Sequence, residues 1–177
     1  MSGSVNGTAT RDLAVSPAHL SWRRVAMAFV AFALIAISLG ACAPEGEGIF
    51  TVADRNKFTA TGEEYTKLTN SLLDAMNDAA TKGDTAAIGT ATEPIFTQIQ
   101  QKITEMKDQA AKLKGQPQNV ANQLISTAER WVTAAKSAVE AGKKNDATAY
   151  NEAIAKVNAI ATEFNAKISE WNAIQAK

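Results

Sequence analysis

Residues 61–177 predict an all-α fold: an antiparallel up-down-up-down four-helix bundle that follows a cleaved signal peptide and a short linker. Three observations predict it. Apolar side chains recur three and four positions apart through four long stretches, the spacing that lines one face of an α-helix. Glycine, proline and Asx residues fall between the stretches, where one helix must stop and the next begin. The connections are short, and short connections make consecutive helices run back along one another.

The first helix is expected to start at Thr61-Gly62-Glu63-Glu64, a capping box in which each side chain reaches the other residue's free N–H. Tyr65, Leu68, Leu72, Met76 and Ala79 then share a face. A charge placed at Leu72 should therefore be costly, and one at Thr69, off that stripe, should not. Lys82-Gly83-Asp84 ends the helix and caps the next, glycine supplying the left-handed conformation and aspartate the N-cap. The second stretch carries Ile88, Ile95, Ile99, Ile103, Met106, Ala110 and Leu113, and Pro94 predicts a kink or restart near Thr92-Glu93-Pro94. Lys112, Lys114 and Gly115 close it. Pro117 suits the first turn of the third helix, whose stripe is Val120, Leu124, Ala128, Trp131, Ala135 and Ala138. After Lys143-Lys144-Asn145-Asp146 the fourth helix carries Tyr150, Ile154, Val157, Ala161, Phe164, Ile168 and Trp171.

Folding the first pair back about Gly83 and Asp84 sets Leu68 opposite Ile99 and Leu72 opposite Ile95. The second pair sets Trp131 by Val157 and Val120 near Trp171. Apolar partners meet throughout. Asp146 repeats the turn position of Asp84 62 residues later, which suggests two helical hairpins, although the residue identities beyond the turns are too few to prove a duplication.

Composition narrows the chemistry. The chain has 18 basic and 18 acidic side chains. Residues 43–177 hold 15 and 17 of these, a net charge of −2 with no clustered basic face for nucleic acid. The one histidine, His19, and the one cysteine, Cys42, both precede residue 43. The domain therefore has neither imidazole nor thiolate for zinc, copper or haem, and no cofactor or catalytic residue is expected in it. Asp74, Asp78, Glu105, Asp108, Glu129, Glu140, Glu163 and Glu170 fall mostly between the apolar stripes and read as a solvated face. Lys102, Lys107, Lys112 and Lys114 read the same way, with anionic lipid head groups or wall polymers as the functional alternative. Trp131, Trp171, Tyr150 and Phe164 are the residues that would line a ligand space, with Ala128, Ala135 and Ala161 leaving room. At helical spacing, aromatic residues more often simply fill a core.

The N-terminal part reads as an address. Residues 1–24 form a cytoplasmic leader ending in Arg23-Arg24, and residues 25–41 are an apolar run. Arg11, Arg23 and Arg24 keep the N-terminus inside, so the chain after the run lies outside the cytoplasmic membrane. The run ends in Leu39-Gly40-Ala41-Cys42, which resembles the lipobox of bacterial lipoproteins. That resemblance covers roughly residues 21–42. It implies cleavage between Ala41 and Cys42, acylation of Cys42 with palmitate-type chains, and a membrane anchor on the outer face of the cytoplasmic membrane, or on the outer membrane of a host that has one. The second reading is an uncleaved span, since 17 apolar residues are at the short edge of what crosses a bilayer. Residues 42–60 are the lipidated cysteine and linker. Ala43 to Gly48 is a tether of at most about 20 Å, and Ile49, Phe50, Val52 and Phe58 dock on the bundle as a short strand or helical turn.

The expected function is that of an extracytoplasmic, non-enzymatic binding module of the cell envelope, with a membrane lipid or envelope protein as partner. The alternative is a carrier that holds a small hydrophobic ligand between its helices.

Overall fold

The structure, a computed structural model, describes residues 50–176. They form four α-helices: α1 Val52–Lys82, α2 Thr85–Ala110, α3 Gly115–Lys143 and α4 Ala147–Ala173. Among the described residues there is no strand, and no helix is long and apolar enough to cross a membrane. Ala41 and Cys42, with the rest of the leader and apolar run, lie outside the described residues.

The expected start of the first helix needs correction. α1 begins at Val52, not at Thr61, because Thr51-Val52-Ala53-Asp54 is itself a capping box. Asp54 N–H donates to Thr51 Oγ1 at 3.1 Å, and Thr51 N–H donates to Asp54 Oδ2 at 3.3 Å. Residues 52–60, expected as linker, are therefore the first turns of the bundle. Thr61 lies inside the helix and donates its hydroxyl to the Lys57 carbonyl at 3.2 Å.

Both expected hairpin turns form, and by the same device. Gly83 (φ 70°) and Asn145 (φ 56°) occupy the left-handed region. Gly83 N–H donates to Ala80 O and Asp84 N–H to Ala79 O; 62 residues on, Asn145 N–H donates to Gly142 O and Asp146 N–H to Ala141 O. This is the Schellman arrangement, which satisfies the last carbonyls of a helix. Each aspartate then caps its following helix, accepting from Ala87 N–H and Ala149 N–H at 3.0 Å.

The cross-helix contacts give the register. Glu64 meets Lys102 and Thr61 meets Gln109 across α1 and α2. Glu129 meets Lys107 across α2 and α3, and Arg130 meets Glu163 across α3 and α4. Further along, Phe96 faces Lys136 and Gly89 faces Lys143 across α2 and α3, and Gly142 faces Tyr150 across α3 and α4. Along each seam one number rises as the other falls, so neighbouring helices are antiparallel, and both hairpins lie within a few residues of the expected register. α1 and α4 close the ring. These two meet mainly through side chains, while the sequential pairs approach backbone to backbone. Phe50 and Phe58 of the α1 end stack on Trp171 at 5.2 and 4.6 Å, and Trp171 Nε1 donates to Thr59 Oγ1 at 3.1 Å. Arg55 donates to the Asn172 carbonyl at 2.6 Å.

Two further expectations change. α2 runs through Pro94 as one helix. The preceding turn is tied down by buried Thr92, whose hydroxyl donates to the Ile88 carbonyl at 2.7 Å, although proline removes one backbone donor. Thr69, expected off the stripe, is fully buried. The inward face of α1 is wider than its apolar residues suggest. Thr61, Thr66 and Thr69 can belong to it because their hydroxyls, though buried, donate to carbonyls of their own helix.

Candidate functional site

The four aromatic residues expected to line a ligand space do not share one site. Trp131, Tyr150, Phe164 and Trp171 are all buried. They are strung along the bundle: Tyr150 and Trp171 lie 21 residues apart on α4, about 32 Å at 1.5 Å per residue. Tyr150 sits at the hairpin end beside Gly142, and burial pushes its phenol up to about 12. Trp131 and Phe164 meet in the middle through Tyr65, whose ring centroid is 6.5 Å from Trp131 and 5.3 Å from Phe164. Tyr65 donates its hydroxyl to the Ala128 carbonyl at 3.5 Å, and burial raises its pKa strongly. Each ring is engaged in core packing.

The lysine group also divides. Lys102 bridges Glu64 and Glu105 at 2.7 and 2.9 Å. Its hydrogen bonds to those two carboxylates raise its pKa, and it holds Glu64 below the usual carboxylate range in return. Lys107 pairs with Glu129 at 2.6 Å. Lys112 and Lys114 are exposed and pair with no carboxylate among the described residues. Of the acids, Asp74, Asp78, Glu105, Asp108, Glu129, Glu140 and Glu170 are exposed, and half-buried Glu163 accepts from Arg130 Nη1 at 2.8 Å. No group of three His, Cys, Asp or Glu among the described residues converges as metal ligands would.

What the sequence did not reveal is a trough between α2 and α3. One part of it, about 580 Å³, is lined by Phe96, Val139, Glu93, Lys136, Glu140 and Lys143. Gly89 lets the Lys143 stem lie close to the helix: a Cβ there would stand 3.3 Å from Lys143 Cε, tight enough that the lysine would have to shift slightly. Lys136 Nζ lies 5.7 Å from the centre of the Phe96 ring, a cation–π contact. It pairs with no carboxylate among the described residues, whereas its neighbour Lys143 is bound by Glu140 at 2.8 Å, which lowers the Glu140 pKa. A second hollow of about 390 Å³ continues along the same two helices past Ile103 and Val132 to Lys107 and Glu129. A third, of about 500 Å³, turns over α3 towards Lys144 and Ala149. Lys136 borders all three.

The hydroxyls of Thr92 and Thr97, which line the trough, donate to carbonyls one turn back, at 2.7 and 3.2 Å. The trough thus sets apolar side chains, Phe96 and Val139, beside charged ones, Glu93, Lys136, Glu140 and Lys143. No sequence signal could have found it, because Phe96 and Lys136 lie 40 positions apart on different helices and both fall where a surface or core residue is equally expected. Comparison with protein-family models, curated proteins and solved structures gives no match to this chain.

Proposed function

We propose that the chain is a membrane-anchored lipoprotein of the bacterial cell envelope, and that its helical domain is a non-enzymatic binding module held outside the cytoplasmic membrane. The observation that carries this reading is Leu39-Gly40-Ala41-Cys42 at the end of an apolar run that begins after Arg23-Arg24. Two or three acyl chains on one cysteine anchor a protein stably, since each buried methylene contributes about 0.8 kcal/mol. The α2/α3 trough is the surface assigned to a protein partner. The carrier alternative receives less support, because Trp131, Trp171, Tyr150 and Phe164 are occupied in core packing.

Two experiments test this reading. Mass spectrometry of the protein extracted from membranes of a lipoprotein-processing host is expected to show loss of residues 1–41 and an acylated Cys42; an intact N-terminus with an unmodified thiol would refute it. A photo-crosslinking side chain at Thr97 or Gln100, in the trough, is expected to trap a discrete envelope partner that the same group at Asp74 does not. Equal trapping at both positions would remove the trough from the proposal.

A further inference from the structure

The charges of the bundle are sorted along its axis. The end that carries the tether comprises residues 50–60, 107–125 and 166–176. It holds six cations (Arg55, Lys57, Lys107, Lys112, Lys114 and Lys167) against three carboxylates (Asp54, Asp108 and Glu170). The opposite, hairpin end, residues 74–93 and 139–152, holds three lysines against seven carboxylates. The middle third balances. Lys57, Lys112 and Lys114 pair with no carboxylate among the described residues, and no acid stands in the first turn of α3 beside Lys114. Glu45 and Glu47 of the tether reduce the excess at that end without reversing it.

This sorting acquires a direction from the place where the chain is held. Eight residues, Ala43 to Phe50, separate Cys42 from the Thr51 cap. Eight residues span at most about 29 Å even when fully extended, so the chain length alone limits how far that end can stand from the anchor. The basic end is thus confined near the membrane. α1, at 31 residues, extends about 46 Å away from it.

We infer that the tether end of the bundle, with Lys57, Lys112 and Lys114 at its centre, is a docking surface for anionic phospholipid head groups, on which the domain stands with its acidic hairpin end outward. This rests on the anchored reading above, and holds whether the apolar run is cleaved or retained. Each basic side chain near an anionic surface favours the docked state about fivefold. The acidic end is repelled by the same surface, so the two ends act together to set orientation. Docked this way, the part of the α2/α3 trough beside Gly89 and Lys143 lies at the end away from the bilayer, where a partner can reach it.

Lysine acetylation of the full, membrane-extracted protein tests this. The protein is reconstituted into vesicles of phosphatidylcholine alone, or with about one third phosphatidylglycerol, recovered by flotation, and read by peptide mass spectrometry. In the anionic vesicles Lys112 and Lys114 are expected to react at least threefold more slowly than in neutral ones, with Lys82 and Lys144 unchanged, and high salt is expected to abolish the difference. Equal reactivity at both ends in floated vesicles, or protection indifferent to phosphatidylglycerol, overturns the docking surface while leaving the anchor intact. A chain that does not float refutes the anchor itself, and the docking surface with it.

Discussion

Thr69 separates the reading of α1 from its apolar residues from the face it buries. Thr69 is 0% exposed, and its hydroxyl donates to the Thr66 carbonyl at 2.9 Å. Thr69→Asp would put a carboxyl group where no water and no cation can reach it. A fully buried carboxyl is neutral at pH 7, its pKa raised by several units. Protonating a group of ordinary pKa about 3.9 at pH 7 costs about 4 kcal/mol, at about 1.4 kcal/mol per pH unit. The sign follows from linkage: the raised folded-state pKa lowers stability at every pH above about 3.9, more as pH rises, and the penalty vanishes below it. The expected loss is therefore about 4 kcal/mol at pH 7 and about 1.5 kcal/mol at pH 5, a large part of a typical 5–15 kcal/mol total. Urea unfolding followed by far-UV circular dichroism measures it, with exposed Ser71→Asp as the control, expected within about 0.5 kcal/mol of the parent. A Thr69→Asp midpoint equal to that of Ser71→Asp, or a loss that does not shrink at pH 5, would refute the burial argument.

Other consequences can be measured as directly. Gly83→Ala forces a side chain into φ 70° and should cost about 1 kcal/mol in thermal unfolding, while Asn145→Gly, at φ 56°, should be neutral or slightly stabilising. The chain has two tyrosines, and burial raises both phenols. Phenols held neutral by the fold contribute stability that is full below about pH 10 and falls as pH rises further, so tyrosinate absorbance should appear together with unfolding and not before it. Cys42→Ala should leave the precursor unprocessed and without acyl chains, as judged by mass, with the helical circular dichroism of the domain unchanged.

Much of the fold was legible because its punctuation is local. Gly83-Asp84 and Asn145-Asp146 specify a left-handed residue followed by a cap, and that chemistry acts within six residues. The start of α1 was hidden for a related reason: Thr61-x-x-Glu64 matches the usual box, while the one that forms, Thr51-x-x-Asp54, has aspartate at its third position, and the turns it opens pack Phe58 on Trp171. The threonine part of the α1 face was missed because residue type, not position, assigned it to solvent. Of the kink or restart expected near Pro94, the restart does not occur: Ile88 before the proline and Phe96 and Ile99 after it are buried on one continuous helix. The trough was the least legible feature, being made by side chains whose neighbours are set by the register of two helices rather than by sequence.

The α1/α4 seam has a mechanical consequence. Tension arriving through the tether enters at Phe50 and Thr51, beside the two polar pins of that seam, the Arg55 bond to the Asn172 carbonyl and the Trp171 bond to Thr59. A pull along the axis must slide α1 past its neighbours and shears both pins together with the Phe50, Phe58 and Trp171 stack. A sideways pull meets the same contacts one after another, as a zip. The bundle is therefore stiffest against forces along its own axis and weakest against forces that pull its N-terminal end sideways.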